Sequence, residues 1–337
     1  MKPFAVARPK TIPEALSLLS ATARPRGAGI DLLDLAKGGH PSPEVLVDVR
    51  GVQPGIPPCP GLYSGSDRDD KGFRILAHAT LTEIAGCKDL LQHAPALSDA
   101  AGEAATPQIR NVATLAGNLL QRPRCPYFRD PFFDCLKRGG KTCPAMDGDH
   151  SEGAIFGNGK CCAVHPSNLA VALVALDARL LINSASDEAD EINADNAMAA
   201  AFFLRPEEDP LREARIAPNQ FLESVMFRPF PASAYVEVDH KQSFDWASAS
   251  AAVALEMEGG KVKSARVALG AVAPVPMLSE AAAKALVGKV PNEVAAKAAG
   301  EAAVEGATPL RDNGHKVQHL RICVQRAVLK AAARGGK

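Results

Sequence analysis

The chain has 337 residues, and its 38 basic and 38 acidic side chains give a formal net charge of zero. At a typical domain size of ~150 residues, this length predicts about two domains, each with a buried core of its own. The balanced charge and an aromatic content of only 5% exclude a chain built to bind nucleic acid, and no apolar run reaches the ~20 residues that cross a bilayer.

The N-terminal third is predicted to alternate short helices and strands. Thr11 and Glu14 have the spacing of a capping box ahead of an apolar helical segment, and residues 80–83 repeat that spacing. Residues 45–49 and 73–78 have the composition of strands. The positively charged N-terminal residues are not followed by an apolar segment, so we expect no secretion signal. A cytoplasmic chain is therefore predicted, and the alternative is export on the signal of a partner subunit.

Residues 121–165 differ in composition from the residues that precede them. They are rich in proline and glycine and contain a group of cysteines, and they are predicted to form a long structured loop. Regular structure is expected to return where Ser167 can cap an apolar helix that runs to residue 176, followed by a strand near residues 179–182.

A second domain is predicted after the polar, acidic segment 184–220, with the boundary between residues 222 and 223. Residues 234–239, 248–258 and 261–269 have strand patterns, and two glycines at 259–260 indicate a hairpin between the last two. Helical spacing follows at 279–286, 292–300 and 317–333. We therefore expect residues 223–337 to form a smaller domain with a three-stranded antiparallel sheet and helices.

Two segments carry small residues at predicted strand-to-helix turns. The first spans residues 27–31 and the second residues 108–119. In such a turn, backbone amides and a helix N-terminus can hold a phosphate group. The glycine spacing matches neither the Rossmann fingerprint nor the P-loop, so the residues alone leave an ordinary turn as the alternative at each place.

Together with the segment 165–168 and residues 270–274, these two loops resemble the flavin-binding subunit of molybdenum hydroxylases of the xanthine dehydrogenase and aldehyde oxidoreductase group, over essentially the whole chain. The resemblance implies an α+β fold, with a PCMH-type, vanillyl-alcohol-oxidase-like FAD-binding domain over residues 1–222 followed by the smaller domain. In relatives the two loops bind the FAD pyrophosphate, and the segment after residue 165 lies near the flavin. The implied FAD-binding residues are Arg26, Gly27, Ala28, Gly29, Ile30, Asp31, Leu32, Thr106, Ala113, Thr114, Ala116, Gly117, Asn118, His165 and Asn168.

The chain departs from the family pattern at several of these positions. Ala28 and Ala116 stand where relatives have the first glycine of a pair. Ile30 replaces a hydroxyl residue, and Asn168 replaces an acidic one. A left-handed alanine would cost ~1–2 kcal/mol, against the ~12 kcal/mol of a nanomolar cofactor, so FAD is still expected with a weakened affinity. The segment 235–241 carries two acidic side chains where relatives tend to have a basic cluster after the tyrosine, so contacts there are not carried over.

Five cysteines fall within the loop 121–165: Cys125, Cys135, Cys143, Cys161 and Cys162. Their spacing matches neither paired zinc knuckles nor ferredoxin runs. The residues alone therefore leave structural zinc, an iron–sulfur cluster and unrelated buried thiols open, with disulfides disfavoured in a reducing compartment.

One branch of the resembled family carries an insertion of this kind, in which four cysteines bind a [4Fe-4S] cluster near the flavin. The resemblance implies as ligands Cys125, Cys135, Cys143 and Cys161, with Cys162 as the alternative to Cys161. Four thiolates complete the coordination of such a cluster, which in turn would crosslink a loop with little core of its own.

The resemblance predicts an FAD and [4Fe-4S] electron-transfer subunit of a heteromeric molybdenum hydroxylase. Its implied partners are a large molybdenum-cofactor subunit, a small [2Fe-2S] subunit and an external electron acceptor, with no nucleic acid and no membrane span. Two alternatives are a stand-alone flavin oxidoreductase and a flavin-free interaction subunit with a structural metal clip.

Overall fold

The computed structural model of the chain describes residues 1–52, 62–64, 71–184, 198–241 and 244–335. In chain order its strands are β1 (Ala5–Ala7), β2 (Ala23–Arg26), β3 (Val45–Asp48), β4 (Leu62–Ser64), β5 (Lys71–Leu76), β6 (Arg179–Ser184), β7 (Gln220–Phe227), β8 (Ser233–Val238), β9 (Ala249–Glu258), β10 (Lys261–Gly270) and β11 (Met277–Leu278). Its helices are α1 (Ile12–Leu18), α2 (Ile30–Lys37), α3 (Leu81–Gly86), α4 (Lys88–His93), α5 (Pro95–Glu103), α6 (Pro107–Arg110), α7 (Leu115–Leu119), α8 (Pro126–Arg129), α9 (Asn168–Ala175), α10 (Ala199–Phe202), α11 (Glu280–Leu286), α12 (Glu293–Ala303) and α13 (His315–Gly335).

Within the described ranges these strands form three sheets. The first is parallel, in the order β1-β3-β2. The second is antiparallel, in the order β4-β5-β7-β6, and the third is antiparallel, in the order β11-β10-β9-β8. Helices pack against both antiparallel sheets, which is the α+β architecture that the sequence predicts. No helix in these ranges has both the length and the apolar character needed to span a membrane.

The C-terminal sheet has one strand more than the predicted three. The predicted strands are present as β8, β9 and β10, and Gly259 and Gly260 both have positive φ (58° and 76°), as a tight hairpin turn requires. The additional strand β11 has two residues and pairs with the end of β10, Met277 opposite Leu269. A strand this short has no alternating pattern, which is why the sequence did not predict it.

The helix α9 lies in the largest hydrophobic core. All of its residues from Leu169 to Ala175 are buried, and they share that core with Ala252 and Ala268 of the C-terminal sheet. A Cβ atom at Gly270 would overlap the Val171 side chain, so this glycine allows α9 to lie close against β10. The N-terminal and C-terminal parts of the chain are therefore joined by continuous apolar packing.

The predicted domain boundary between residues 222 and 223 falls inside β7. Residues of β7 on both sides of that point pair with β6, and its C-terminal half also pairs with β5. The division of the chain into domains 1–222 and 223–337 stays a prediction. Of the polar segment expected before the boundary, residues 185–197 lie outside the described ranges.

The cysteine loop, residues 121–165, has short helical turns. They are α8 and two 3-10 turns, Leu136–Arg138 and Pro144–Met146. Its first half shares a small apolar cluster with Leu35, whereas Ile155 and Phe156 join the core of the C-terminal sheet. The end of the loop is thus packed into a large core, whereas the part that carries Cys125, Cys135 and Cys143 has only a small apolar cluster.

Candidate functional site

A cleft of about 930 Å³ opens beside β2, α2 and α7, and residues 244–246 of the C-terminal part complete its wall. With the exception of His165, the predicted FAD-binding residues all line this cleft: Arg26, Gly27, Ala28, Gly29, Ile30, Asp31, Leu32, Thr106, Ala113, Thr114, Ala116, Gly117, Asn118 and Asn168.

The two predicted loops approach each other closely beside the cleft. A Cβ atom placed on Gly27 would lie 2.7 Å from Thr114 Oγ1, a separation that real carbon atoms do not adopt. Gly29 is the N-cap of α2 and has a φ of 78°, a left-handed conformation that suits glycine. The first loop can therefore bring bare backbone up to a ligand, which is how such turns hold phosphate groups.

Thr106 and Thr114, which line the cleft, are each the N-cap of a short helix. Thr106 Oγ1 accepts a hydrogen bond from the Ile109 amide at 3.3 Å, and Thr114 Oγ1 accepts one from the Gly117 amide at 3.1 Å. Each hydroxyl still has its own proton to donate, because its oxygen serves only as an acceptor in the cap. Both predicted threonines are thus rigid and retain a donor for a ligand.

The loop alanines Ala28 and Ala116 are not strained. Among the described residues, the non-glycine residues with positive φ are Ala105, Asp177, Phe244 and Ala271. Ala28 and Ala116 are not among them, so the strain cost considered from the sequence does not arise at either position.

The cleft is lined by arginines and by carboxylates: Arg24, Arg26, Arg122, Arg124 and Arg212, with Asp31, Glu213, Glu223 and Asp245. Arg26 donates to Asp48 (Nη1–Oδ2 2.9 Å) and Arg122 donates to Glu213 (Nε–Oε2 2.7 Å). Burial and then the neighbouring Arg122 charge lower the pKa of Arg24, and a bound anion would offset that repulsion. The surroundings of Arg24 therefore suit an anion such as a pyrophosphate.

Asp31 connects the first loop to the cysteine loop. Its Oδ1 accepts from Arg124 Nη1 at 2.8 Å and from Arg129 Nη2 at 2.7 Å, and its Oδ2 accepts from the Arg122 amide at 2.9 Å. The carboxylate of this predicted FAD-binding residue is thus engaged by residues of the cysteine loop. It couples the position of the cleft to that of the loop.

His78 and Trp246 are cleft residues that were not predicted from the sequence. His78 follows β5, and its buried Nε2 has no hydrogen-bond partner among the described residues. Trp246 lies in the cleft wall, 45% exposed, with the Arg124 guanidinium 4.8 Å from its ring. Neither position has a local sequence signal, since a lone histidine or tryptophan is most often a core residue.

His165 does not join the other predicted FAD-binding residues at the cleft surface. It is buried, its ring lies 4.6 Å from that of Phe203, and its Nδ1 accepts from the Ser167 amide at 3.3 Å. Burial lowers the pKa of His165 to about 4, so the ring is neutral at physiological pH.

The cysteines of the loop lie in one neighbourhood. The Cys143 and Cys162 sulfur atoms are 3.9 Å apart, and hydrogen bonds from the Cys161 and Cys162 thiols lower the pKa of Cys143. Burial raises the pKa of Cys125, and the charges of Cys135 and Cys143 raise it further. Even so, in the part of the chain that the structure describes, no three His, Cys, Asp or Glu side chains are arranged to hold a metal ion.

Two buried lysines lie near these cysteines. Lys137 is 3% exposed and pairs with Glu213 (Nζ–Oε1 2.8 Å). Burial raises the pKa of the Cys135 thiol, and the hydrogen bond with Cys143 and then burial raise the pKa of the Cys161 thiol, while the Lys137 charge opposes both shifts.

Lys316 is fully buried, and burial lowers its pKa to about 8, while the Glu152 charge and then the Cys162 charge oppose that shift. A buried ammonium is costly unless negative charge lies near it, and each of these lysines has a carboxylate as a partner.

A carboxyl group joins the C-terminal sheet to the cleft. Glu237 Oε2 accepts from Tyr235 Oη at 2.6 Å and from Asn168 Nδ2 at 2.9 Å. Burial raises the pKa of Glu237 to about 7, and the charges of Asp239 and Glu103 add to the shift, whereas the Tyr235 hydrogen bond opposes it.

We expect the stability of the wild-type protein relative to Glu237→Gln to fall as pH rises. Because the pKa of Glu237 is about 7 in the folded chain against 4.5 for an ordinary glutamate, the folded state binds this proton more tightly. Its contribution to the free energy of unfolding is complete below about pH 4.5 and is lost by about pH 7, a change of at most ~3 kcal/mol. Urea unfolding of both proteins from about pH 5 to about pH 8 measures the difference. A difference that does not change with pH would contradict the raised pKa.

Comparison with known proteins gives consistent matches over the whole chain. Residues 2–227 match the family described as the FAD binding domain in molybdopterin dehydrogenase, and residues 233–334 match the CO dehydrogenase flavoprotein C-terminal domain. The chain is 34% identical over 290 residues to the aldehyde oxidoreductase FAD-binding subunit PaoB of Escherichia coli (strain K12), covering 84% of this chain and 85% of that protein. It is 26% identical to the carbon monoxide dehydrogenase medium chain of Afipia carboxidovorans, over 97% of this chain and 96% of that one.

A solved structure of similar fold is the carbon monoxide dehydrogenase from Hydrogenophaga pseudoflava that lacks the Mo-pyranopterin moiety of the molybdenum cofactor. It superposes with a TM-score of 0.68 at 24% identity and covers 99% of each chain. These matches confirm the predicted two-part fold.

Proposed function

The chain belongs to the family of FAD-binding subunits of molybdenum hydroxylases, and on that premise we propose that it is the electron-transfer flavoprotein of an assembly that oxidises aldehydes. Its relatives are oxidoreductase subunits, so the chain is part of an enzyme. The aldehyde assignment follows the 34% identity to the aldehyde oxidoreductase subunit, against 26% and 25% for the two carbon monoxide dehydrogenase medium chains.

The proposal of an FAD site rests on the contact between Gly27 and Thr114. This contact brings together two loops that are far apart in sequence, beside a cleft whose about 930 Å³ is large enough for a dinucleotide. His78 Nε2, which has no partner among the described residues, and Arg24, whose charge is opposed by burial and by Arg122, are further groups that a ligand would satisfy. In this proposal Gly27 and Gly29 approach the pyrophosphate, and Thr106 and Thr114 donate hydrogen bonds.

Bound FAD supplies a two-electron carrier between partner subunits and an external acceptor. The partners are a large subunit with the molybdenum cofactor and a small subunit with [2Fe-2S] clusters. This chain contributes the position and the electrostatic environment of the flavin. Its arginines hold the phosphates, and the packed α9 and C-terminal sheet keep the cleft wall rigid.

The second part of the proposal is a [4Fe-4S] cluster in the cysteine loop, ligated by Cys125, Cys135, Cys143 and Cys161 or Cys162. Two observations support it: the close approach of these thiols, which affect one another's pKa, and the small apolar cluster of the loop's first half. Because the described side chains do not already converge on a metal position, cluster binding requires the thiols to move together. The loop has only short helical turns between these cysteines, which permits such a movement.

Trp246 gives a direct test of flavin in the cleft, since it is the only tryptophan in the chain. We expect its fluorescence to be strongly quenched in the flavin-loaded protein and to recover when the flavin is removed, because Trp246 lies in the cleft wall. The matched control moves the tryptophan to an exposed position away from the cleft, in Trp246→Phe/Val294→Trp, where residue 294 is 78% exposed on α12. Equal quenching in both proteins would place the flavin elsewhere.

Co-purification tests the assembly. Affinity purification of the tagged chain from its native cells should recover a large and a small partner subunit with molybdenum and additional iron. Anaerobic addition of an aldehyde should then bleach the flavin absorption, whereas carbon monoxide or a purine should not. A flavin-loaded chain without partners would favour the stand-alone oxidoreductase, and a chain without flavin would favour the interaction subunit.

A further inference from the structure

Asn168 and Glu237 are joined by one hydrogen bond. They are 69 residues apart in sequence, Asn168 at the start of α9 and Glu237 on β8, and the bond runs from Nδ2 to Oε2 over 2.9 Å. Only Asn168 lines the cleft; Glu237 lies behind it. The C-terminal sheet therefore reaches the cleft through this asparagine.

The surroundings hold both partners in place. Tyr235 Oη donates to the same Oε2 at 2.6 Å, and the tyrosine is fully buried. On the other side, Ser167 caps α9 by accepting from the Ala170 amide at 3.0 Å, and it donates to Asn118 Oδ1 at 2.6 Å. The amide of Asn168 thus lies between a fixed carboxyl group and a fixed helix start.

A carboxylate determines which end of a neighbouring amide faces it. Ionised Glu237 can only accept hydrogen bonds, so it must meet the NH₂ end of Asn168. Asn168 Oδ1, an acceptor, is then turned away from Glu237 and is free for a ligand in the cleft. A residue 237 without an acceptor atom would leave Asn168 free to turn over and offer its NH₂ to the cleft instead.

We propose that Glu237 is a positioning residue of the flavin site, which holds the Asn168 amide so that an oxygen acceptor faces a hydrogen-bond donor of the bound cofactor. This inference rests on the proposed function, because it assumes that FAD occupies the cleft. The donors that a flavin dinucleotide offers are the N–H groups of its ring and the hydroxyls of its ribityl chain.

Two substitutions of Glu237 test the inference. In Glu237→Leu the amide of Asn168 is released, because leucine has no acceptor, and we expect FAD to bind about tenfold more weakly, the value of one hydrogen bond. In the conservative variant Glu237→Gln, the glutamine oxygen can take the place of Oε2 and accept from Asn168, so the affinity should stay near the wild-type value. Titration of flavin-free protein with FAD at about pH 8, followed by Trp246 fluorescence, measures each dissociation constant, and circular dichroism checks that each variant is folded.

The possible results distinguish a failure of this inference from a failure of the proposed function. If wild-type protein takes up no FAD, the proposed function fails. If wild-type protein binds FAD and Glu237→Leu binds it equally well, only the positioning role of Glu237 is overturned. An affinity that falls as much in Glu237→Gln as in Glu237→Leu would also overturn it, because the glutamine retains the acceptor that holds the Asn168 amide.

Discussion

Replacing Gly27 by alanine is expected to weaken FAD binding by about ten- to a hundredfold. The new Cβ would lie 2.7 Å from Thr114 Oγ1, and overpacking of this kind costs about 1–3 kcal/mol. Thr114 cannot easily turn away, because its short branched side chain caps α7. Gly27 does not have a positive φ, so backbone strain does not contribute and the effect reports the contact between the loops. Equilibrium titration of flavin-free protein with FAD measures it.

The control for this variant is Gly86→Ala, at a glycine where an added Cβ meets no described atom within 4 Å. A second variant, Gly27→Ala/Thr114→Ala, removes the obstructing side chain. It should recover part of the affinity, with the remainder lost because Thr114 caps α7, which is worth about 1 kcal/mol, and because it also donates a hydrogen bond to FAD in the proposed site. Unchanged FAD binding in Gly27→Ala would show that the flavin does not use this loop contact, and the proposed site would have to be abandoned.

The FAD-binding residues of the two cleft loops could be named only through the family resemblance, because their sequence patterns alone are also those of ordinary turns. The structure supplies a local physical reason for three of them, since Gly29 is left-handed and Thr106 and Thr114 cap helices. What the sequence could not supply was the contact of Gly27 with Thr114, since that depends on how separate elements pack.

The residues that sequence reasoning missed enter the cleft from elements without a local signal. His78 follows a strand and Trp246 precedes one, and neither has neighbours that mark a binding site. The bond between Asn168 and Glu237 was missed for a related reason. Each residue alone looked like a loss of a family contact, and only the packing of α9 against the C-terminal sheet shows that they form a pair.

In the cysteine loop, Cys143→Ser is expected to remove nearly all of the about four iron atoms and the acid-labile sulfide that a [4Fe-4S] cluster brings to each chain. Cys143 is the thiol nearest the adjacent pair, with its sulfur 3.9 Å from that of Cys162. Because the cluster would crosslink a loop with little apolar core, its loss should also make residues 121–165 sensitive to proteolysis. Iron and sulfide analysis of anaerobically purified protein and limited proteolysis measure these effects.

Variants of the other cysteines serve as controls, and they also show whether Cys161 or Cys162 is the fourth ligand, which the sequence left open. Cys87→Ser and Cys323→Ser alter buried cysteines outside the loop, so iron should be retained in both. Cys125→Ser and Cys135→Ser should lose iron as Cys143→Ser does. Of Cys161→Ser and Cys162→Ser, only the variant that removes the fourth ligand should lose iron.

If wild-type protein carries one zinc ion and no sulfide, the metal is a structural zinc and the cluster proposal is wrong. If wild-type protein carries no metal, the thiols are buried side chains without a ligand role. Either result would leave the flavin proposal standing, because the cleft contacts do not depend on what the thiols bind.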